Sequence, residues 1–254
     1  MRLLVVLALA ALALLAGGCA SSGGRGDAFA ESIAAWAALD RAEVLERLPQ
    51  HLADAREKIR LRQEGSGPGN YDPHDPKAVA ARLAKMFQVD QLMRREIAGP
   101  MNALAGWGTD EPAAEALLSF GREIDSAHTA ELKQLLQLHH WFTISEFGPA
   151  ADQNAWLLAQ HADLDVDFQR EVLARLTELW PVGETSPRNF AYLYDRVARA
   201  EGRPQRYGTQ GACAGPGRWE PHPLEDPERV DELRAAMGLE PLEAYVAFAS
   251  KMCP

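Results

Sequence analysis

This chain lacks H-E-x-x-H, C-x-x-C, G-x-S-x-G and a Walker loop. The common metallohydrolase, dithiol, serine-hydrolase and phosphate-loop readings therefore have no motif to rest on. Only three cysteines occur among 254 residues, which excludes a disulfide-dense scaffold. Aromatic residues make up 7 %, and no run alternates cleanly between apolar and polar positions, so an all-β domain is excluded as well. Basic residues are in deficit, 26 against 36 acidic ones, for a formal charge of −10. An acidic surface repels nucleic acid and anionic headgroups, and no nucleic-acid partner is expected. Long hydrophobic runs are missing too, with one exception at the start.

That exception reads MRLLVVLALAALALLAGGCA. Arg2 supplies a minimal positive region and Leu3 to Ala16 an apolar stretch, shorter than the roughly 20 residues of a spanning helix. Leu15-Ala16-Gly17-Gly18-Cys19 resembles a lipobox, so residues 1–18 read as a lipoprotein signal peptide and Cys19 as the lipidated residue. Gly17 departs slightly from the larger residue favoured at its position. Residues 19–27 then form a small-residue tether. Ala20, where retained lipoproteins carry Asp, suggests an outer-membrane anchor facing the periplasm. Several acyl chains hold where one does not. With Cys19 acylated, Cys213 and Cys253 are left as a pair that an oxidising compartment could join.

Ala, Leu, Arg and Glu dominate, so the fold is expected to be mainly α. Helices are predicted over 28–48, 50–63, 77–98, 113–140, 150–162, 165–179, 187–201, 227–237 and 241–251. Gly65 to Pro73 separates an N-terminal helical segment (28–64) from a main helical domain (77–254). One long irregular Gly/Pro-rich stretch, Tyr207 to Pro223, leaves room for a small β-hairpin near 205–223.

Polar residues set among apolar ones are the candidates for chemistry. Asp90 lies in a stripe of Leu83, Met86, Phe87, Met93 and Ile97, with Arg94 one turn on. A carboxylate there is either half of a buried ion pair or a pocket group, because an isolated buried charge is costly. Trp156-Leu157-Leu158-Ala159 wraps a helix in apolar side chains and turns Gln160 or His161 inward. A lone His there is more often a core residue than a base or ligand. Asp163, Asp165 and Asp167 alternate like a calcium loop, yet Phe168 stands where Gly is required and Ala174 where Glu is. Asp163 or Asp165 is better read as the cap of the helix from Val166, and no metal is expected. Asp195 could pair with Arg199 on a solvated helix face, beside Arg196.

Asp90-Gln91 with Arg94, Trp141 to Gly148, Gln160-His161-Ala162-Asp163 with Phe168-Gln169, Asp195-Arg196-Val197, Pro204-Gln205 with Tyr207-Gly208-Thr209-Gln210, and the stretch Arg234 to Tyr245 follow one another in an order that resembles a bacterial family of unknown function, of the DUF6624 type. The likeness covers residues 77 to 250 and departs at Trp141-Phe142, where the family more often has Trp-Pro. It implies a helical fold and one shared polar site, and supplies no reaction.

The first functional expectation is a lipid-anchored module that binds a small polar ligand or an envelope protein, with no cofactor. Asp90, Arg94, Gln160, His161, Arg196 and Gln210 would line its cleft. The second is a hydrolase or lyase on an envelope or peptide-like substrate. There His161 is the base, Asp90 or Asp195 the orienter or acid, and Arg196 with Tyr207 to Gln210 the stabiliser of negative charge. The third is a purely architectural polar cluster.

Overall fold

A computed structural model describes residues 23–105, 112–251 and 253. The signal segment and Cys19 lie outside the described residues. Helix α1 (Gly23–Ala37) and α2 (Arg41–Gln63) precede two long helices, α3 (Pro76–Leu104) and α4 (Pro112–Leu138). Then come α5 (Ile144–Phe147), α6 (Pro149–Gln160), α7 (Val166–Leu179), a 3-10 turn at Trp180–Val182 and α8 (Pro187–Ala200). Strands β1 (Gly211–Gly215) and β2 (Arg218–Pro221) lead to α9 (Val230–Ala236) and α10 (Leu242–Ser250). The fold is mainly α, with its one small sheet inside the irregular stretch where the sequence left room for it.

Two local readings are corrected. The predicted break between the first two helices lies not at Pro49, which is inside α2, but at Asp40. Asp40 accepts from the Glu43 amide at 2.9 Å while Glu43 accepts from the Asp40 amide at 3.0 Å. This reciprocal cap fixes the start of α2, and one missing N–H at Pro49 is tolerated within a long helix. Residues 23–26, expected as tether, instead open α1.

The described residues fall into two compact units. The first takes residues up to Gly67 together with Gln88–Asp125. Val44, Leu48, Ala55 and Ile59 recur at helical spacing on α2 and bury one face against Val89, Met93 and Ile97 of α3 and Leu117 and Phe120 of α4. Trp36 of α1 lies over Gly99, where an added Cβ would meet its Cδ1 at 2.6 Å. A side chain at that position would drive α1 off.

The second unit takes Pro68–Phe87 and Ser126–Pro254. Here α7 packs on α8, and α10 packs on β2. Pro216 and Gly217 turn the hairpin, and Gly217 adopts the positive φ of +64° that such a turn demands of its second residue. A disulfide joins Cys213 on β1 to Cys253. Gly211 opens β1 because nothing larger fits. An added Cβ would lie 2.3 Å from the Glu220 carbonyl oxygen and 2.2 Å from the Trp219 ring.

Gly211→Ala is accordingly expected to lower stability by roughly 1–3 kcal/mol, the usual penalty of overpacking. Thermal unfolding of the purified chain checks this, and an unchanged melting temperature would refute the close approach.

Candidate functional site

Two buried carboxylates, neither paired with a cation among the described residues, frame the second unit. Asp152 on α6 accepts from the Trp141 indole at 2.8 Å, the Thr185 hydroxyl at 2.6 Å, the Ser186 amide at 3.1 Å and the Asn189 side chain at 2.9 Å. Burial pushes its carboxyl up, and these donors pull it back. It thereby fixes where α8 begins. Asp195, near the other end of α8, accepts from the backbone amides of Arg206 (2.8 Å), Tyr207 (3.0 Å) and Thr209 (2.9 Å) and from the Thr209 hydroxyl (2.9 Å). Burial again raises the carboxyl against the pull of its donors. The predicted partner of Asp195, Arg199 at i+4, is not engaged. Three backbone amides that would otherwise be buried unpaired win the carboxylate instead.

The loop held by Asp195 is fastened at every residue that matters. Gln205 accepts from the Gln210 amide (2.8 Å) and donates to the carbonyls of Gln210 (2.7 Å) and His222 (2.8 Å). Arg234, fully buried, donates to the Tyr207 carbonyl (2.6 Å), and the Tyr245 hydroxyl donates to that of Thr209 (3.1 Å). The backbone amide of His222 donates to the Gln210 carbonyl at 2.9 Å. Tyr207 and Gln210, expected among the ligand-binding groups, thus sit buried in this loop, and it fixes His222 just beyond β2.

The end of α6 is built by a single amide. Gln169 of α7 donates through Nε2 to the carbonyls of Gln160 (2.9 Å) and Ala159 (3.3 Å) and to Asp163 Oδ1 (3.3 Å). Gln160 and His161 are both turned inward and nearly fully buried. Asp165 caps α7, accepting from the Phe168 amide at 3.1 Å, as read from the sequence.

Asp163 takes a different partner. Arg196 of α8 grips it with both prongs, Nε to Oδ1 at 2.8 Å and Nη2 to Oδ2 at 2.5 Å. More than half of the Asp163 side chain, 55 %, is open to solvent, yet desolvation is the largest influence on its carboxyl. Burial alone would raise the carboxyl; Arg196 overturns that, with help from His161 and Gln169, and holds it down at about 2.

Arg199 lies one helical turn after Arg196, on the same side of α8. It is part-buried, and among the described residues it makes no hydrogen bond or close ion pair. Burial lowers its guanidinium pKa and repulsion from Arg196 adds to this, while Asp163 opposes it. His222 is near enough that Arg199, after burial, pushes the imidazole toward its neutral form. The Nε2 of His222 is enclosed without a partner among the described residues.

The predicted residues are distributed over several elements. Asp90 and Arg94 lie in the first unit, where Arg94 Nη2 donates to Asp90 at 3.0 Å and to Asp125 at 2.7 Å, and Gln91 donates to Asp90 at 2.9 Å. Asp195, Tyr207 and Gln210 belong to the fastened loop, and Gln160 and His161 to the end of α6. Arg196 is paired with Asp163. Sequence reasoning missed Asp152, Gln169, Gln205, Arg199 and His222 as site-forming groups. Only Arg199 left a usable signal, a second arginine on one helix face.

The sequence profile of a family of unknown function, DUF6624, matches residues 77–252. No curated protein and no solved structure matches the chain.

Asp195→Ala should cost roughly 3 kcal/mol or more, since it strands several buried amides at about 1–3 kcal/mol each. Asn at the same place, which keeps an acceptor, should cost less. Chemical denaturation decides, and equal, negligible losses would sink the loop-holding role. Asp163 ionises more readily folded than unfolded. The stability it adds is present above its ordinary value of 3.8 and fades as pH falls toward about 2. Asp163→Asn should therefore flatten the acid limb of the stability curve, and an acid limb identical to wild type would contradict the ion pair.

Proposed function

We propose that this chain, which belongs to the DUF6624 family of unknown function, is an exported, lipid-anchored binding module that takes a small polar ligand in the notch formed by Asp163, Arg196, Arg199 and His222. Arg199 carries the reading. A part-buried guanidinium that makes no close ion pair among the described residues, set beside a second arginine, is a stability cost with no return in the fold. Groups kept at such a cost are characteristic of sites.

Binding is preferred to hydrolase or lyase chemistry. Asp195, one of the two carboxylates expected as acid or orienter, already accepts from three backbone amides and a hydroxyl. Tyr207 and Gln210 give their backbone amides to their own loop, and Arg196, expected with them as the stabiliser of negative charge, is paired with Asp163. Export rests on the apolar run and the lipobox-like residues before Cys19, and the Cys213–Cys253 disulfide agrees with an oxidising compartment.

The full-length chain, purified in detergent, should gain melting temperature from at least one class in a screen of sugars, amino acids, organic acids and phosphates. A ligand at 100 times its Kd adds about 2.7 kcal/mol. Arg199→Ala should melt no lower than wild type without ligand and lose that gain. A screen silent in every class, or an Arg199→Ala protein that keeps the full gain, would end the reading. Palmitate labelling should mark the chain and vanish in Cys19→Ser; label that persists would remove the anchor.

A further inference from the structure

We infer that the ligand of this notch is a small anion, a carboxylate or a phosphate group, held by the Arg199 guanidinium and the His222 imidazole beside the Asp163–Arg196 pair. The inference rests on the binding reading above and narrows its chemistry.

The charges facing the notch do not balance. Arg196 and Arg199 bring two guanidinium groups from one face of α8, and among the described residues Asp163 is the carboxylate that acts on both. That carboxylate is committed to Arg196, both of its oxygens receiving a prong of the fork. Among the described residues nothing takes a hydrogen bond from the Arg199 guanidinium, whose planar donors match carboxylate and phosphate oxygens. His222 adds a second donor. Its Nε2 is enclosed without a partner among the described residues, and its backbone is held by Gln205 and Gln210. Both groups are pressed toward their uncharged forms by burial and by a cationic neighbour, the environment that an incoming anion relieves.

The rest of the molecule limits the size of that anion. A chain with a formal charge of −10 repels an extended polyanion or an anionic bilayer along most of its surface. Exposed Asp163 adds local repulsion at the edge of the notch. A compact group that reaches Arg199 alone escapes both penalties. The fork fits carboxylate and phosphate alike, so the two sources must be told apart by experiment.

The test uses the full-length chain in detergent with histidines labelled in 13C and 15N. Inorganic phosphate and acetate are titrated separately at constant ionic strength, with chloride as the balancing ion. The His222 ring signal, identified by its loss in His222→Ala, should shift saturably with one of the two, and that one names the source. Arg199→Ala should abolish the shift, and Arg199→Lys, which keeps the charge but not the fork, should weaken it at least several-fold. Melting temperatures of both variants report that they are folded. If neither anion moves the His222 signal while a neutral sugar still stabilises the chain, the anion assignment falls and the binding reading stands. If nothing binds at all, both fall. A shift that survives Arg199→Ala would place the anion elsewhere and overturn the assignment.

Discussion

A buried carboxylate has to find donors, and in the second unit neutral donors supply them. Asp152 gathers an indole, a hydroxyl, a backbone amide and a side-chain amide. Asp195 gathers three backbone amides and a hydroxyl. Each draws distant segments to one point: the turn before α5 and the start of α8 for the first, the loop after α8 for the second. Because hydrogen bonds to an ionised group are about twice as strong as neutral ones, these two points set α8 at both ends. The arginines on α8 inherit their placement from that. With the carboxylates inside α6 and α8 committed to neutral groups, the arginines are left to the surface and to Asp163.

The loop from Gln205 to Gln210 shows how such a constraint spreads. Asp195 fixes its amides, Gln205 closes it on itself, Arg234 takes one of its carbonyls and Tyr245 another. Gly208, at φ +68°, lies where an added Cβ would stand 2.8 Å from Leu242, so the loop also defines how closely α10 approaches. The same hydrogen bonds that complete the loop hold the backbone of His222. Architecture and site are therefore one network here, and much of the polar set singled out from the sequence serves the first in order to position the second.

Helices were legible because their signal is local. Apolar spacing on α2 and α8 and the cap at Asp165 each lie within a few residues of what they determine. The start of α2 was missed because Pro49 is a louder signal than the Asp40–Glu43 cap, although the cap decides. The Asp90–Arg94 pair was readable at i+4 spacing. Asp163 and Arg196, 33 residues apart, were not, and neither were the donors of Asp152, up to 37 residues away. An ion pair between helices leaves no periodic trace. The position of His222 between two prolines carried no trace either, since its role comes wholly from the loop that holds its backbone.

The bond between Cys213 and Cys253 has a further consequence. It closes a ring of chain with a sequence separation of 40, and β2, α9 and α10 all lie inside it. Arg234, which reaches the Tyr207 carbonyl from within α9, is a member of that ring. A protease that cuts anywhere between the two cysteines would leave both fragments on one covalent body, with their contacts to the hairpin intact. Only thiol reduction would part them.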